Sequence, residues 1–146
     1  MQLAEIMQKK VITIRPEATV QEAGKEMANH TVNSLVVING SGKLVGILTN
    51  SDIIKNVIVS GESSKKVLVS DIMTKDVIVA SPQATLEEAA NVMVKYKIKH
   101  LPIVHEDVVV GIVTTTDLIT YEEALIEKIS TLLFTKREDD DGKVGG

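Results

Sequence analysis

The sequence contains no cysteine and no tryptophan, and only 2% of its 146 residues are aromatic. Without cysteine there is no disulfide, no thiolate nucleophile and no cysteine-ligated zinc or iron–sulfur site. So few aromatic rings also argue against a surface that stacks several nucleic-acid bases. Apolar residues nevertheless make up 44% of the chain. We therefore expect one globular domain, or two half-domains, with an aliphatic core.

Positive charge and long apolar stretches are also scarce. Basic residues number 16 and acidic residues 20, giving a net charge of -4, whereas proteins that bind duplex nucleic acid carry a basic excess. The longest stretch without a polar side chain, Val108 to Val113, is far shorter than the ~20 residues of a membrane-spanning helix. The histidines lack metal-ligand spacing, and the first residues lack the order of a signal peptide. We expect a soluble cytoplasmic protein that does not bind nucleic acid, a membrane or a metal.

The chain contains a duplicated unit. When the sequence is shifted by 66 residues, Ile6 and Met7 fall on Ile72 and Met73. From about residue 41 the shift becomes 65 residues, which indicates that one loop residue was gained or lost. Two copies of a long repeat favour a two-lobed domain with internal pseudosymmetry over an open solenoid.

Each copy predicts the element order β-α-β-β-α, and hence an α+β fold. A short helical segment precedes a strand that ends at a proline, a threonine then caps a helix, and a hairpin leads into a closing helix. The first copy has its helical segment at 3–7, strands at 11–14, 35–38 and 44–48, and its closing helix from about Asp52. The second copy has its helical segment at 69–73, strands at 77–80, 101–104 and 108–113, and its closing helix from about Asp117.

These elements divide the chain into five parts. We expect repeat 1 at 1–57, a linker at 58–68, repeat 2 at 69–124, an amphipathic helical arm at 125–135 and a tail at 136–146. The tail is expected to be disordered because it has almost no apolar content.

The motifs that recur in the two copies resemble those of one known family. A Pro-x-Ala-Thr sequence leads into the helix at Thr19 and again at Thr85, and Lys99-His100-Leu101-Pro102 opens the middle strand of the second copy. A Gly-hydrophobic-hydrophobic-Thr/Ser-x-x-Asp motif closes both copies, at 46–52 and 111–117. In this order the motifs resemble CBS domains (cystathionine-β-synthase-type domains), arranged as a stand-alone tandem pair over residues 3 to about 124.

The resemblance implies a fold and a function. Two repeats would pack sheet to sheet about a pseudo-twofold axis, with two clefts between them. The clefts would bind an adenosyl compound such as AMP, ADP, ATP or S-adenosylmethionine as a regulatory ligand, with no other cofactor and no catalytic residues. The protein would form a homodimer and act on an unidentified regulated protein.

The closing motifs, Thr49-x-x-Asp52 and Thr114-x-x-Asp117, have two interpretations. Thr-x-x-Asp at a helix start is the pattern of a capping box, in which both side chains bond the helix's own N–H groups. The aspartate could instead accept both hydroxyl groups of a ribose, and Gly46 or Gly111 would leave room for a base against the strand. The two interpretations are compatible, since the threonine can cap while the aspartate faces a ligand.

The resemblance also implies that each cleft combines the closing motif of one repeat with the strands of the other. One cleft would contain Ile12, Val32, Asn33, Ser34, Thr114, Thr116 and Asp117. The other would contain Ile78, Ile98, Lys99, His100, Thr49, Ser51 and Asp52. The four aliphatic residues would enclose adenine, and Lys99 and His100 would contact a phosphate. The alternatives are core packing for the aliphatic residues, solvent exposure for Lys99, and a half-buried position without a ligand role for His100.

A second function remains open from the sequence. The chain could be a ligand-free structural module that dimerises or binds a partner protein through its pairing surfaces and arm. No Ser/His/Asp arrangement, Walker loop or metal-ligand motif supports an enzyme.

Overall fold

The computed structural model describes the backbone of residues 1–144 and the side chains of residues 1–134. Within these residues the helices and strands form an α+β fold. The strands are β1 (Thr13–Ile14), β2 (Ser34–Ile38), β3 (Leu44–Thr49), β4 (His100–His105) and β5 (Val108–Thr114). The α-helices are α1 (Val20–His30), α2 (Asn50–Ile53), α3 (Val69–Ile72), α4 (Leu86–Tyr96) and α5 (Thr115–Val144). A 3₁₀ turn (Leu3–Glu5) precedes β1, and a π-helical segment (Ile54–Ile58) follows α2.

The two middle helices begin at the predicted threonine caps. Thr19 Oγ1 accepts from the backbone N–H of Glu22 at 3.2 Å, and Thr85 Oγ1 accepts from that of Glu88 at 3.1 Å. These bonds satisfy donors that the first turn of a helix leaves open. Each helix then buries apolar residues spaced three and four apart, namely Val20, Ala23 and Met27 in α1 and Ala89 and Met93 in α4.

The two sheets differ by one strand. β1 pairs in parallel with β2, which pairs antiparallel with β3, whereas the second sheet contains only the antiparallel pair β4–β5. The prediction of a strand at 77–80 is wrong. This segment forms only an isolated parallel bridge, between Ala80 and Ile103. In the first repeat the N–H of Val36 donates to the carbonyl of Ile12 at 3.1 Å. Pro102 holds the corresponding place in the second repeat and has no N–H, so this ladder bond is lost.

The segments that precede the first strand of each repeat are exchanged between the repeats. We call residues 2–8 and 68–74 the lead-in segments. Gln8 pairs through its backbone with Ile112 of β5, and Thr74 pairs in the same way with Ile47 of β3. The first lead-in segment therefore lies on the second repeat, and the second lead-in segment lies on the first.

This exchange places residues from both halves of the chain in each hydrophobic core. Leu3 is fully buried with Met93 and Leu101 of the second repeat. Val69 is fully buried with Leu35 and other residues of the first repeat. Each core is therefore incomplete without the other half of the chain.

Helix α5 is much longer than its counterpart α2. It extends to Val144, although we expect disorder from residue 136. The side chains after Phe134 and residues 145–146 lie outside the described residues, so the disordered tail stays a prediction. Several apolar side chains of the described arm are exposed, namely Leu125, Ile126, Ile129, Leu132 and Leu133. No helix within the described residues is both long enough and apolar enough to cross a membrane.

Candidate functional site

All fourteen candidate ligand residues line one cavity of about 740 Å³. Residues of both repeats contribute to it, so the two predicted clefts form two halves of a continuous space. Four aliphatic candidates lie on it half-buried, namely Ile12, Val32, Ile78 and Ile98. The cavity is large enough for a nucleotide, and it falls within the volume range typical of small-molecule sites.

The closing motifs adopt the capping-box geometry. Asp52 Oδ2 accepts from the backbone N–H of Thr49 at 2.9 Å, while Thr49 Oγ1 accepts from the N–H of Asp52 at 3.4 Å. Asp117 Oδ2 and Thr114 Oγ1 make the same pair of bonds at 2.9 and 3.1 Å. Each box uses only one oxygen of its carboxylate, so the second oxygen is left for another donor. The capping interpretation is therefore confirmed, and it leaves the ligand interpretation possible.

The structure corrects the predicted partners of these motifs. The backbone N–H of Thr115 donates to the carbonyl of Lys99 at 3.1 Å, and His100 lies opposite Thr114 in the β4–β5 hairpin. Lys99 and His100 thus lie beside the closing motif of their own repeat. The same holds for Asn33 and Ser34, because an antiparallel hairpin brings the start of its first strand next to the end of its second.

Consequently the two halves of the cavity differ in their polar side chains. The half around Asp52 contains Asn33 and Ser34, whose side chains are neutral. The half around Asp117 contains Lys99 and His100. The predicted chemical inequality between the halves holds, although the basic residues lie beside the other aspartate.

His100 has a shifted pKa. Burial lowers the pKa of this histidine below 6.5, and the nearby charge of Lys99 lowers it further, while Asp117 opposes both effects. The shift favours the neutral form of the imidazole. In that state it offers a phosphate one N–H donor rather than a positive charge.

The glycines of the closing motifs do not leave room for a base. A Cβ placed on Gly46 would lie 2.5 Å from Met73 Sδ, and one placed on Gly111 would lie 2.5 Å from Met7 Sδ. The space above each glycine is therefore filled by a methionine of the exchanged lead-in segment. The prediction that a base lies there is wrong, because the sequence did not reveal that another part of the chain packs on this strand.

Several cavity residues were not singled out from the sequence. Those with charged or long polar side chains are Gln8, Lys10, Lys55, Asp76 and Lys97. With Lys99, the lining holds four lysines and three aspartates, an excess of positive charge in an acidic protein. Gln8 was detectable as a difference between the copies, because the shift of 66 residues places it on Thr74. The lysines carry no local motif and are recognisable only in the folded chain.

Comparison with known proteins agrees with this architecture. The CBS domain family matches residues 3–59 and 69–124. An uncharacterized protein of Methanopyrus kandleri is 32% identical over 128 residues, which make up 87% of this chain and 65% of that protein. The chain thus spans slightly less than two thirds of the length of this curated relative.

Two solved structures are similar to the fold. An uncharacterized conserved protein from Pyrococcus horikoshii matches with a TM-score of 0.78 and 40% identity, over 83% of this chain and 91% of that chain. The CBS domain pair of protein MJ0100, solved in complex with 5'-methylthioadenosine and S-adenosyl-L-methionine, matches with a TM-score of 0.79 and 33% identity, over 85% of this chain and 97% of that chain. Since the family matches both repeats over most of the sequence, the chain belongs to the CBS domain family and carries a tandem pair of CBS domains.

Proposed function

We propose that this CBS pair is a non-catalytic regulatory module whose cavity binds an adenosyl compound. The observation that carries the proposal is the Asp52 carboxylate. Its Oδ2 is used by the capping box, whereas no side chain among the described residues donates to its Oδ1. This acceptor lies half-buried on a cavity of nucleotide size.

The lining supplies complementary chemistry for each part of such a ligand. The aliphatic side chains of the cavity offer apolar surface to a purine, which needs no aromatic partner to be buried. Asp52 would accept hydrogen bonds from ribose hydroxyl groups. The lysines would attract phosphate groups, and their excess over the aspartates favours AMP, ADP or ATP over the cationic S-adenosylmethionine.

Regulation would follow from the position of the cavity between the repeats. A ligand shifts a conformational equilibrium only when it binds one conformation more tightly than another. Because both repeats line the cavity, a bound nucleotide would contact both and favour one arrangement of the two. The changed surface would then alter the binding of a regulated protein.

One observation favours a second function, a ligand-free module for dimerisation or protein interaction. The arm presents several exposed apolar side chains along α5, including Leu125, Ile129 and Leu132. Exposed apolar surface of this kind is typical of interaction sites. This function requires no ligand in the cavity.

The test compares two aspartates whose carboxylates each accept from the backbone N–H of the residue before their helix. Asp71 Oδ2 accepts from the N–H of Leu68 at 2.9 Å, as Asp52 Oδ2 does from Thr49, but Asp71 does not line the cavity. Calorimetry would measure the affinity of the parent, Asp52→Ala and Asp71→Ala for AMP, ADP, ATP and S-adenosylmethionine. Both variants should lose about 0.5–2 kcal/mol of stability with the cap.

Only Asp52→Ala should lose affinity, by about ten- to a hundredfold, because it alone loses an acceptor for the ribose. Equal affinities for the parent and Asp52→Ala would show that this carboxylate does not bind the ribose. Absence of binding by the parent to every compound would favour the ligand-free module.

A further inference from the structure

The carboxylate of Asp117 is already occupied by a side chain from the other repeat. Gln8 Nε2 donates to Asp117 Oδ1 at 3.0 Å and to Oδ2 at 2.9 Å. Oδ2 also accepts from the N–H of Thr114. The two oxygens that would receive ribose hydroxyl groups are therefore both engaged by one amide.

The other half of the cavity has the same backbone pairing at the end of its lead-in segment but lacks this contact. Gln8 exchanges backbone hydrogen bonds of 2.9 and 3.0 Å with Ile112, and Thr74 exchanges bonds of the same two lengths with Ile47. The two lead-in segments are thus held alike, and they differ in the side chain that faces the aspartate. The side chain of Thr74 is too short to act as Gln8 does, and within the described residues none donates to Asp52 Oδ1.

From this difference we infer that Gln8 is an internal competitor that lowers the affinity of the Asp117 half, so that the Asp52 half binds ligand first. The inference rests on the proposed function, since it concerns the order in which the two halves bind. A ligand at the Asp117 half must first displace the Gln8 amide from the carboxylate. The ligand must replace both contacts of the amide with the charged carboxylate, at a cost that is reduced because Gln8 is exposed to water.

Reciprocal substitutions test this inference. Gln8→Thr gives the second half the residue of the first, and Thr74→Gln does the reverse. Both residues are exposed, so we expect both variants to fold, and melting temperatures would verify it. Calorimetric titrations with AMP, and separately with ATP, would give the affinity of each binding step.

Gln8→Thr should tighten the weaker step about fivefold to tenfold and leave the stronger step unchanged. Thr74→Gln should weaken the stronger step by a similar factor. Adding Asp117→Ala to Gln8→Thr should remove the gain, because the gain requires the freed carboxylate.

The outcomes separate this inference from the proposed function. If the parent binds nucleotide and Gln8→Thr leaves both steps unchanged, the competitor role is overturned and the proposed function stands. If Gln8→Thr weakens binding, Gln8 positions Asp117 for the ligand, and the inference is overturned. If no variant binds either nucleotide, both are overturned. If only Gln8→Thr binds, the Asp52 half of the parent does not bind first, and both are overturned.

Discussion

Replacing Leu3 by alanine should strongly destabilise the second repeat, although Leu3 stands near the start of the first. The side chain of Leu3 is 0% exposed and packs among Ala89, Met93 and Leu101. The backbone N–H groups of Leu3 and Ala4 donate to carbonyls of the second repeat at 2.9 Å. A neighbouring segment fixed in this way can collapse only partly into the cavity that the substitution leaves.

A leucine-to-alanine change at such a site costs about 3–5 kcal/mol, from lost burial and the residual cavity together. A domain of this size has a total stability of about 5–15 kcal/mol, so the loss is a large part of it. At about 2–4 °C for each kcal/mol, the melting temperature should fall by about 6–20 °C. Urea titrations followed by far-UV circular dichroism would measure the change, since the chain has no tryptophan to report by fluorescence.

A pair of valines provides the control. Val69 of the second lead-in segment is 0% exposed and packs in the first core, whereas Val79 is 42% exposed. Val69→Ala should destabilise clearly, and Val79→Ala should change stability by less than about 0.5 kcal/mol. A loss below about 1 kcal/mol for Leu3→Ala, comparable to that of Val79→Ala, would refute the exchange of the lead-in segments.

Three further predictions follow from the fold and the site. Gly46→Ala and Gly111→Ala should each cost about 1–3 kcal/mol in thermal unfolding because the new methyl group meets a packed methionine; parental stability would show that the methionine moves aside. Because the folded chain holds the pKa of His100 below 6.5, the unfolded chain binds the proton first as pH falls, and stability decreases. His100→Gln should therefore lose less melting temperature than the parent between about pH 7 and about pH 5, and an equal loss would contradict this. Light scattering should give a homodimer, with twice the chain mass of 15.8 kDa. Leu132→Glu should shift the measured mass towards that of one chain, because it places a charge on the exposed apolar arm. A monomeric parent would refute the homodimer.

The repeat and its local elements could be predicted because their signals lie close together in the sequence. Thr19 and Thr85 stand directly before the apolar periodicity of their helices, and the hairpins are marked by short turns. The missing strand at 77–80 was also detectable, since Pro102 was known to lack the N–H that its counterpart Val36 donates. Caps, turns and prolines of this kind determine the local backbone within a few residues, so the sequence alone reveals their effect.

The exchange of the lead-in segments could not be predicted in this way. Both copies carry the same Ile-Met signal, so the pattern is equally satisfied whether each segment packs on its own repeat or on the other. The choice between these arrangements depends on the packing free energy of both hydrophobic cores together, which the sequence pattern does not give. The interpretation of Gly46 failed for the same reason, because the atoms above that glycine come from a segment whose position was unknown.

The predicted site residues line one cavity, but their pairing within it differs from the prediction. The predicted hairpin already implied that Lys99 and Thr114 would be neighbours, since antiparallel strands bring these ends together. The family resemblance implied a different pairing, with Lys99 and His100 beside Asp52. The register of the hairpin therefore predicts the neighbours of Lys99 correctly, whereas the family resemblance does not.

The duplication pairs the backbone in the same way beside each aspartate, and at these two places the halves differ in their side chains. On one side Gln8 contacts Asp117 and a histidine lies nearby, and on the other Thr74 leaves Asp52 with an open acceptor. Two identical halves would bind a ligand with equal affinity and would respond over a single range of concentration. Unequal halves can respond in two steps, because each half then fills over its own range of ligand concentration. If the module binds a nucleotide as proposed, the side chains at the ends of the lead-in segments would set its two affinities, because the capping boxes are common to both copies.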